Sequence, residues 1–102
     1  MARMIVVYKK PPDEKAFEAH YFGVHVPLVK KMPGLRKYEV SRGPIVTPAG
    51  PSDAWLVAIL YFDDMAAIQA AFGSELGKAA SEDRKIFAPD PALFQTFVFD
   101  DR

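Results

Sequence analysis

His20 and His25 are the only imidazoles in the sequence, and imidazole is the side chain that titrates unperturbed near neutral pH. A neutral imidazole beside a bound molecule can take a proton and give it back, which is general acid/base chemistry. The two histidines stand five residues apart. On a regular α-helix that spacing is a rotation of about 140°, so they are expected to diverge. A two-histidine metal pair is therefore not expected. The chain has no cysteine, which excludes a thiolate nucleophile, a disulfide and every Cys-containing zinc, iron–sulfur or blue-copper site. His25 has the more informative setting, Gly23-Val24-His25-Val26-Pro27. Pro27 has no N–H and leaves the Gly23 carbonyl without its usual helical partner, and Gly23 is itself a weak helix former. A kink or break is expected there. Irregular backbone beside a histidine suits a ligand site or a general base, although from spacing alone a structural histidine bonded to the freed carbonyl is the simpler reading. For His20 the structural role is the simpler reading.

Aromatic rings with a polar edge form the second set. Tyr8, Tyr21, Tyr38, Tyr61 and Trp55 can line a cleft for an apolar or aromatic molecule, or can be ordinary core. From these residues His25 is taken as the candidate catalytic group. His20, Tyr21, Tyr38, Trp55 and Tyr61 are taken as candidate substrate contacts. Asp63 and Asp64 read most simply as helix caps, Asp100-Asp101 as a solvated tail, and Lys30-Lys31 with Arg36-Lys37 as a solvated basic helix end. No serine-hydrolase elbow, phosphate loop or dinucleotide fingerprint is present.

These side chains need elements to hold them. Met4 to Tyr8 is β-rich and stops at Pro11-Pro12. Asp13 suits an N-cap, and Ala16, Phe17, Tyr21, Val24 and Leu28 recur at helical spacing, so a helix is expected from about Glu14 towards Lys31, ended by Pro33-Gly34. Leu35 to Arg42 reads as a strand. Gly43 to Asp53, rich in Pro and Gly, reads as a long loop. Trp55 to Phe62 is a third strand, and Met65, Ile68 and Phe72 mark a second helix ended by Gly73. A further helical stretch starts at Ser74 and is broken by Pro89-Asp90-Pro91, and Leu93 to Phe99 closes the chain as a fourth strand. The order is βαββαβ with an extra helix, an α+β, ferredoxin-like arrangement with a four-stranded antiparallel sheet.

Length and composition agree with a single domain over residues 1–102, half hydrophobic and one quarter charged. Thirteen basic and thirteen acidic residues cancel, which leaves no electrostatic footprint for nucleic acid or an anionic membrane. The first residues lack the pattern of a signal peptide, and the longest apolar run, Ala54 to Phe62, is about half of a membrane span. A cytoplasmic location is the expectation.

One feature departs from a sheet that covers a core with one face and meets water with the other. The third strand does not alternate: Trp55, Val57, Ile59 and Tyr61 face one way and Leu56, Ala58, Leu60 and Phe62 the other. The first and last strands are likewise apolar on both sides. An uncovered apolar face of several hundred Å2 marks an interface, on the order of 300–600 Å2 being large for a monomer. The same face of a second copy is its simplest cover. A homodimer is expected.

The order and spacing of Tyr8-Lys9-Lys10-Pro11, Phe17, His20-Tyr21, His25-Val26-Pro27-Leu28, Lys31-Met32-Pro33-Gly34-Leu35 and Tyr38 resemble the N-terminal half of the EthD family. That family belongs to the dimeric α/β-barrel superfamily of ferredoxin-like proteins. The resemblance implies a homodimer whose two sheets form a barrel, with a cleft between each sheet and its helices. It places His25 at the family's most typical histidine. The family is named for bacterial ether degradation, where it accompanies an oxidative system, so an oxidoreductase setting is implied. Wider relatives include muconolactone-type isomerases, polyketide cyclases, cofactor-free monooxygenases and haem-degrading oxygenases. The haem branch uses a histidine on the second helix, and Met65 to Phe72 contains none. The expected function is a cofactor-independent catabolic enzyme, of oxidoreductase or isomerase type, that moves a proton on a small, partly apolar organic compound with His25. No metal or cofactor is expected. The alternative is a non-catalytic accessory protein that binds an intermediate for a partner oxygenase.

Overall fold

The computed structural model describes residues 1–102. Strand β1 (Ala2–Lys9) lies at the centre of a four-stranded sheet with β5 (Ala54–Phe62) on one side and β6 (Phe94–Asp100) on the other. Strand β2 (Lys37–Val40) forms the far edge beyond β5, and every pairing is antiparallel. This is the ferredoxin-like order expected from the sequence. The Pro/Gly stretch expected as a plain loop carries two short strands, β3 (Val46–Thr47) and β4 (Gly50–Pro51), paired as a miniature hairpin. Its turn is held by the Thr47 hydroxyl, which donates to the Gly50 carbonyl.

The helices lie on one face of the sheet. Helix α1 (Glu14–His20) starts where Asp13 accepts a hydrogen bond from the Ala16 N–H at 3.0 Å. It runs through a π-helical turn (Tyr21–His25) into α2 (Val26–Lys30). The irregularity expected around Pro27 is thus a π turn beginning at Tyr21, and the helical path continues across it. The Val26 N–H reaches back five residues to the Tyr21 carbonyl, and the wide turn ends immediately before the proline, which has no N–H to continue it. Helix α3 (Met65–Gly73) is capped by Asp64, while Asp63 pairs through both oxygens with Arg36 at 2.8 and 2.9 Å. Helix α4 (Glu75–Phe87) is capped by Ser74.

Alternation along β5 decides where the core sits. Leu56, Ala58, Leu60 and Phe62 are buried beneath the helices together with Tyr8, Phe17, Tyr21, Val29, Ile68 and Ala71. A side chain at Gly77 would place its Cβ 2.0 Å from the Ala71 carbonyl oxygen, so glycine lets α4 start tight against the end of α3. That contact fixes the helix that carries Ala80, Asp83 and Phe87 across the sheet.

The opposite face is apolar and bare. Ile5 lies between Ile59 and Phe97 in the register, and Val7 lies beside Val57. Phe97 and Phe99 are 45% and 38% exposed, which no helix of the chain reduces. No helix is long and apolar enough to cross a membrane.

Candidate functional site

Between the sheet and the helices lies a cavity of about 250 Å3. Its floor is the sheet: Met4, Val6 and Tyr8 from β1, Tyr38 from β2, Ala58 and Leu60 from β5, Thr96 from β6. Its roof comes from the helices: Tyr21 and His25 on the π turn, Val29 on α2, Met32 just beyond it, Phe72 on α3, and Ala80, Ser81 and Arg84 on α4. An apolar vessel with a few convergent polar groups is the usual form of a small-molecule site.

His25 is buried, and its ring is fixed by one contact. Nδ1 lies 2.9 Å from Oδ2 of Asp83. The other carboxylate oxygen, Oδ1, lies 2.8 Å from Nε2 of His20. The expected divergence of the two histidines is therefore corrected: they converge on one aspartate. The 140° rotation assumed regular α-helix, whereas the π turn between them closes over five residues instead of four and brings positions five apart onto one side. Asp83 is 7% exposed. Burial by itself would raise its carboxyl, but the hydrogen bonds from His20 and His25 outweigh that and hold it below the ordinary value. An ionised carboxylate only accepts, so both histidines donate to it.

This assignment fixes the chemistry at His25. Burial lowers its pKa below the usual range and the Asp83 contact only partly offsets the shift. The neutral ring then carries its proton on Nδ1 and leaves the Nε2 lone pair free. Nε2 bonds to no protein atom and is not sealed from solvent, Arg3 Nε being the sole buried side-chain polar atom without a partner. The ring lines the cavity. A carboxylate that fixes the tautomer and orientation of an imidazole, with the second nitrogen open, is the arrangement of a positioned general base.

Tyr21 and Tyr38 form the second polar element. Their hydroxyls are 2.7 Å apart. Burial raises the Tyr21 phenol strongly, with further upward pressure from Tyr38. Burial also pushes Tyr38 up, to about 12, against a lowering contribution from the Tyr21 hydrogen bond. Either hydroxyl can donate in this pair, and one O–H of the two is left for a bound molecule.

The remaining candidates lie elsewhere. His20 lies behind Asp83, in a separate surface cleft with Pro11, Pro12 and Phe17. Trp55 packs edge-on against Phe17, ring centroids 4.9 Å apart, outside the cavity lining. A register shift between Tyr8 and Lys9 pairs them with Leu56 and Ala54 and leaves Trp55 as the extra residue. Tyr61 is on the bare sheet face, donating to Glu39 at 2.6 Å beneath the Arg3 guanidinium. Asp83 and Arg84, which complete the site, had no place among the sequence candidates. Their signal is positional: Gly77, Ala80 and Asp83 recur at helical spacing, so an acid falls on the buried stripe of α4.

A scan against protein families matches the EthD domain over residues 9–91. A curated relative agrees: an 11.0 kDa protein from the thcB–thcC intergenic region of Rhodococcus erythropolis is 35% identical over 88 residues, 86% of this chain and 84% of that protein. The chain belongs to the EthD family. The crystal structure of an EthD family protein from Bacillus halodurans superposes with a TM-score of 0.88 at 35% identity, covering 100% of this chain and 99% of that one. SnoaB from Streptomyces nogalater, a cofactor-independent oxygenase, shares the fold at a TM-score of 0.67 and 16% identity, over 99% of this chain and 92% of that one. The EthD match runs from the end of β1 to the last short turn and so includes both histidines, Tyr38 and Asp83.

The pair of shifts gives stability a pH dependence. His25 is lowered in the folded state from its ordinary 6.5, so below about pH 6.5 the unfolded chain binds more protons and folding loses ground. The contribution is present above that value and lost as pH falls through the folded pKa. Asp83, lowered from 3.8, adds a second loss at more acidic pH. Melting temperature is expected to fall in two stages on acidification. His25→Gln should flatten the upper stage and leave the lower.

Proposed function

We propose that this EthD protein is a homodimeric, cofactor-independent enzyme that binds a compact, partly apolar organic molecule in the sheet–helix cavity and transfers a proton with His25. The observation that carries this reading is the open Nε2 of a neutral His25 whose Nδ1 is tied to ionised Asp83. In this reading Nε2 removes a proton from the bound molecule, and Asp83 stabilises the imidazolium that forms. The O–H left free by the Tyr21–Tyr38 pair donates to the oxygen on which charge develops. The proton then returns from Nε2 to the substrate at its new position. An accessory protein that only held an intermediate would need the cavity but not this oriented base.

Binding can be tested without knowledge of the natural substrate. Native mass spectrometry of gently purified protein is expected to find a co-purifying small molecule, or a panel of phenols, quinones and lactones is expected to raise the melting temperature. Ala58→Phe, which fills the cavity floor, should remove either signal. Stabilisation that survives Ala58→Phe would place binding elsewhere and overturn the proposal.

The dimer is read from the bare face built on Ile5, Val7, Val57, Ile59, Phe97 and Phe99. At micromolar concentration sedimentation equilibrium is expected to give twice the chain mass. Ile59→Asp, at the middle of that face, should give monomers, because a charge facing its own symmetry mate would be buried without a partner. A wild-type monomer would remove this part of the proposal.

A further inference from the structure

The cavity lining contains one permanent charge, and no carboxylate is in contact with it. Arg84 follows Asp83 on α4 and lines the cavity, yet forms no ion pair. Asp83 has spent both oxygens on the histidines, and no other carboxylate belongs to the lining. One guanidinium nitrogen, Nη1, donates to the Ala88 carbonyl at 2.8 Å, and the group stacks 4.4 Å over the Phe94 ring. These two contacts hold the side chain in place. Nε and Nη2 bond to no protein atom and are not sealed from solvent. A held guanidinium with two open donors beside an apolar cavity is suited to recognise an anion. The Arg84 charge also reaches Tyr8 and His25, where it is a minor influence beside burial.

We propose that Arg84 makes the cavity selective for a phenol or enol bound as its oxyanion, with the negative oxygen between Arg84 and His25. The inference rests on the reading of His25 as the base. The ligand O–H bond breaks, the proton passes to Nε2 of His25, and the electron pair stays on the ligand oxygen. Arg84 stabilises that oxygen with N–H donors that need no reorganisation. The imidazolium left behind is compensated by Asp83. Neutral molecules of the same shape gain nothing from Arg84, so the residue determines specificity as well as affinity.

4-Nitrophenol tests this directly, because its phenolate absorbs visible light and its phenol does not. Its neutral counterpart is 4-nitrotoluene, followed by calorimetry. At a pH where the free probe is mostly protonated, wild-type protein is expected to bind 4-nitrophenol and turn it yellow. Arg84→Met should abolish the colour and weaken 4-nitrophenol binding by about tenfold to a hundredfold, the usual worth of a charge-assisted hydrogen bond. It should leave 4-nitrotoluene binding as in wild type, which also certifies an intact cavity. Arg84→Gln replaces Arg84→Met if the latter does not fold, and Arg84→Lys should keep part of the colour. Colour and affinity unchanged in Arg84→Met, or an equal loss for both probes, would overturn the inference. Binding of both probes to wild type without colour would overturn it too, and leave the cavity reading in place. If wild type binds neither probe, inference and cavity reading fall together.

Discussion

Replacing His25 by glutamine is expected to lower turnover about a hundredfold to ten-thousandfold, the range over which a positioned acid/base contributes. Glutamine keeps comparable bulk and a donor for Asp83, so ligand affinity and dimer mass should change little. The loss should therefore fall on kcat rather than on binding. The effect is this large because no second base shares the cavity: the remaining titratable lining groups are Tyr8, Tyr21 and Tyr38, all raised by burial, and Arg84, which stays charged. Turnover of phenols, enols or lactones, measured beside calorimetric binding of the same compounds, checks it. Binding without turnover in wild type, unaltered by His25→Gln, would instead assign the protein to the accessory class.

Asp83→Ala is expected to cost about 2–4 kcal/mol of stability, the loss of two hydrogen bonds to a charged acceptor with at least one donor stranded in the interior. The His20 side chain is 26% exposed and can turn to water, but the His25 side chain is only 9% exposed and cannot. For a chain of this size that cost is a fall in melting temperature on the order of 10–20 °C. Asp83→Asn should fall between the two, since an amide can accept from one histidine but presents a donor to the other. It should also weaken catalysis by letting the His25 ring choose its tautomer. Thermal denaturation of the three proteins checks the order. Asp83→Ala with wild-type stability would mean that the buried triad is not formed.

Both predictions depend on a residue that composition hides. Asp83 lies in Ser81-Glu82-Asp83-Arg84-Lys85, a stretch that reads as a solvated helix face. Only its place on the buried stripe of α4 distinguishes it from its neighbours. The strands are easier to read, because the nine-residue run Ala54–Phe62 is short and rich in aromatic and β-branched residues, as a buried strand is, and its lack of alternation points to the second apolar face. Pro27 announced irregular backbone correctly. It could not announce a π turn, because the extra residue per turn is stabilised by what His20 and His25 reach on another helix, fifty-eight residues beyond His25 in the chain. Trp55 shows the same limit in reverse: its register looked ordinary, and a bulge against β1 turned it towards Phe17. Aromatic residue types point to a pocket, while tertiary geometry chooses Tyr8, Tyr21 and Tyr38 from among them.

The protonation state of one ring carries the functional reading, and nitrogen-15 NMR of the imidazole side chains observes it directly. At neutral pH the His25 resonances are expected to show a neutral ring protonated on Nδ1, with Nε2 bare, and Asp83→Asn should redistribute that proton between the two nitrogens. A ring protonated on Nε2, or an imidazolium that persists at neutral pH, would contradict a base that faces the cavity with a free lone pair.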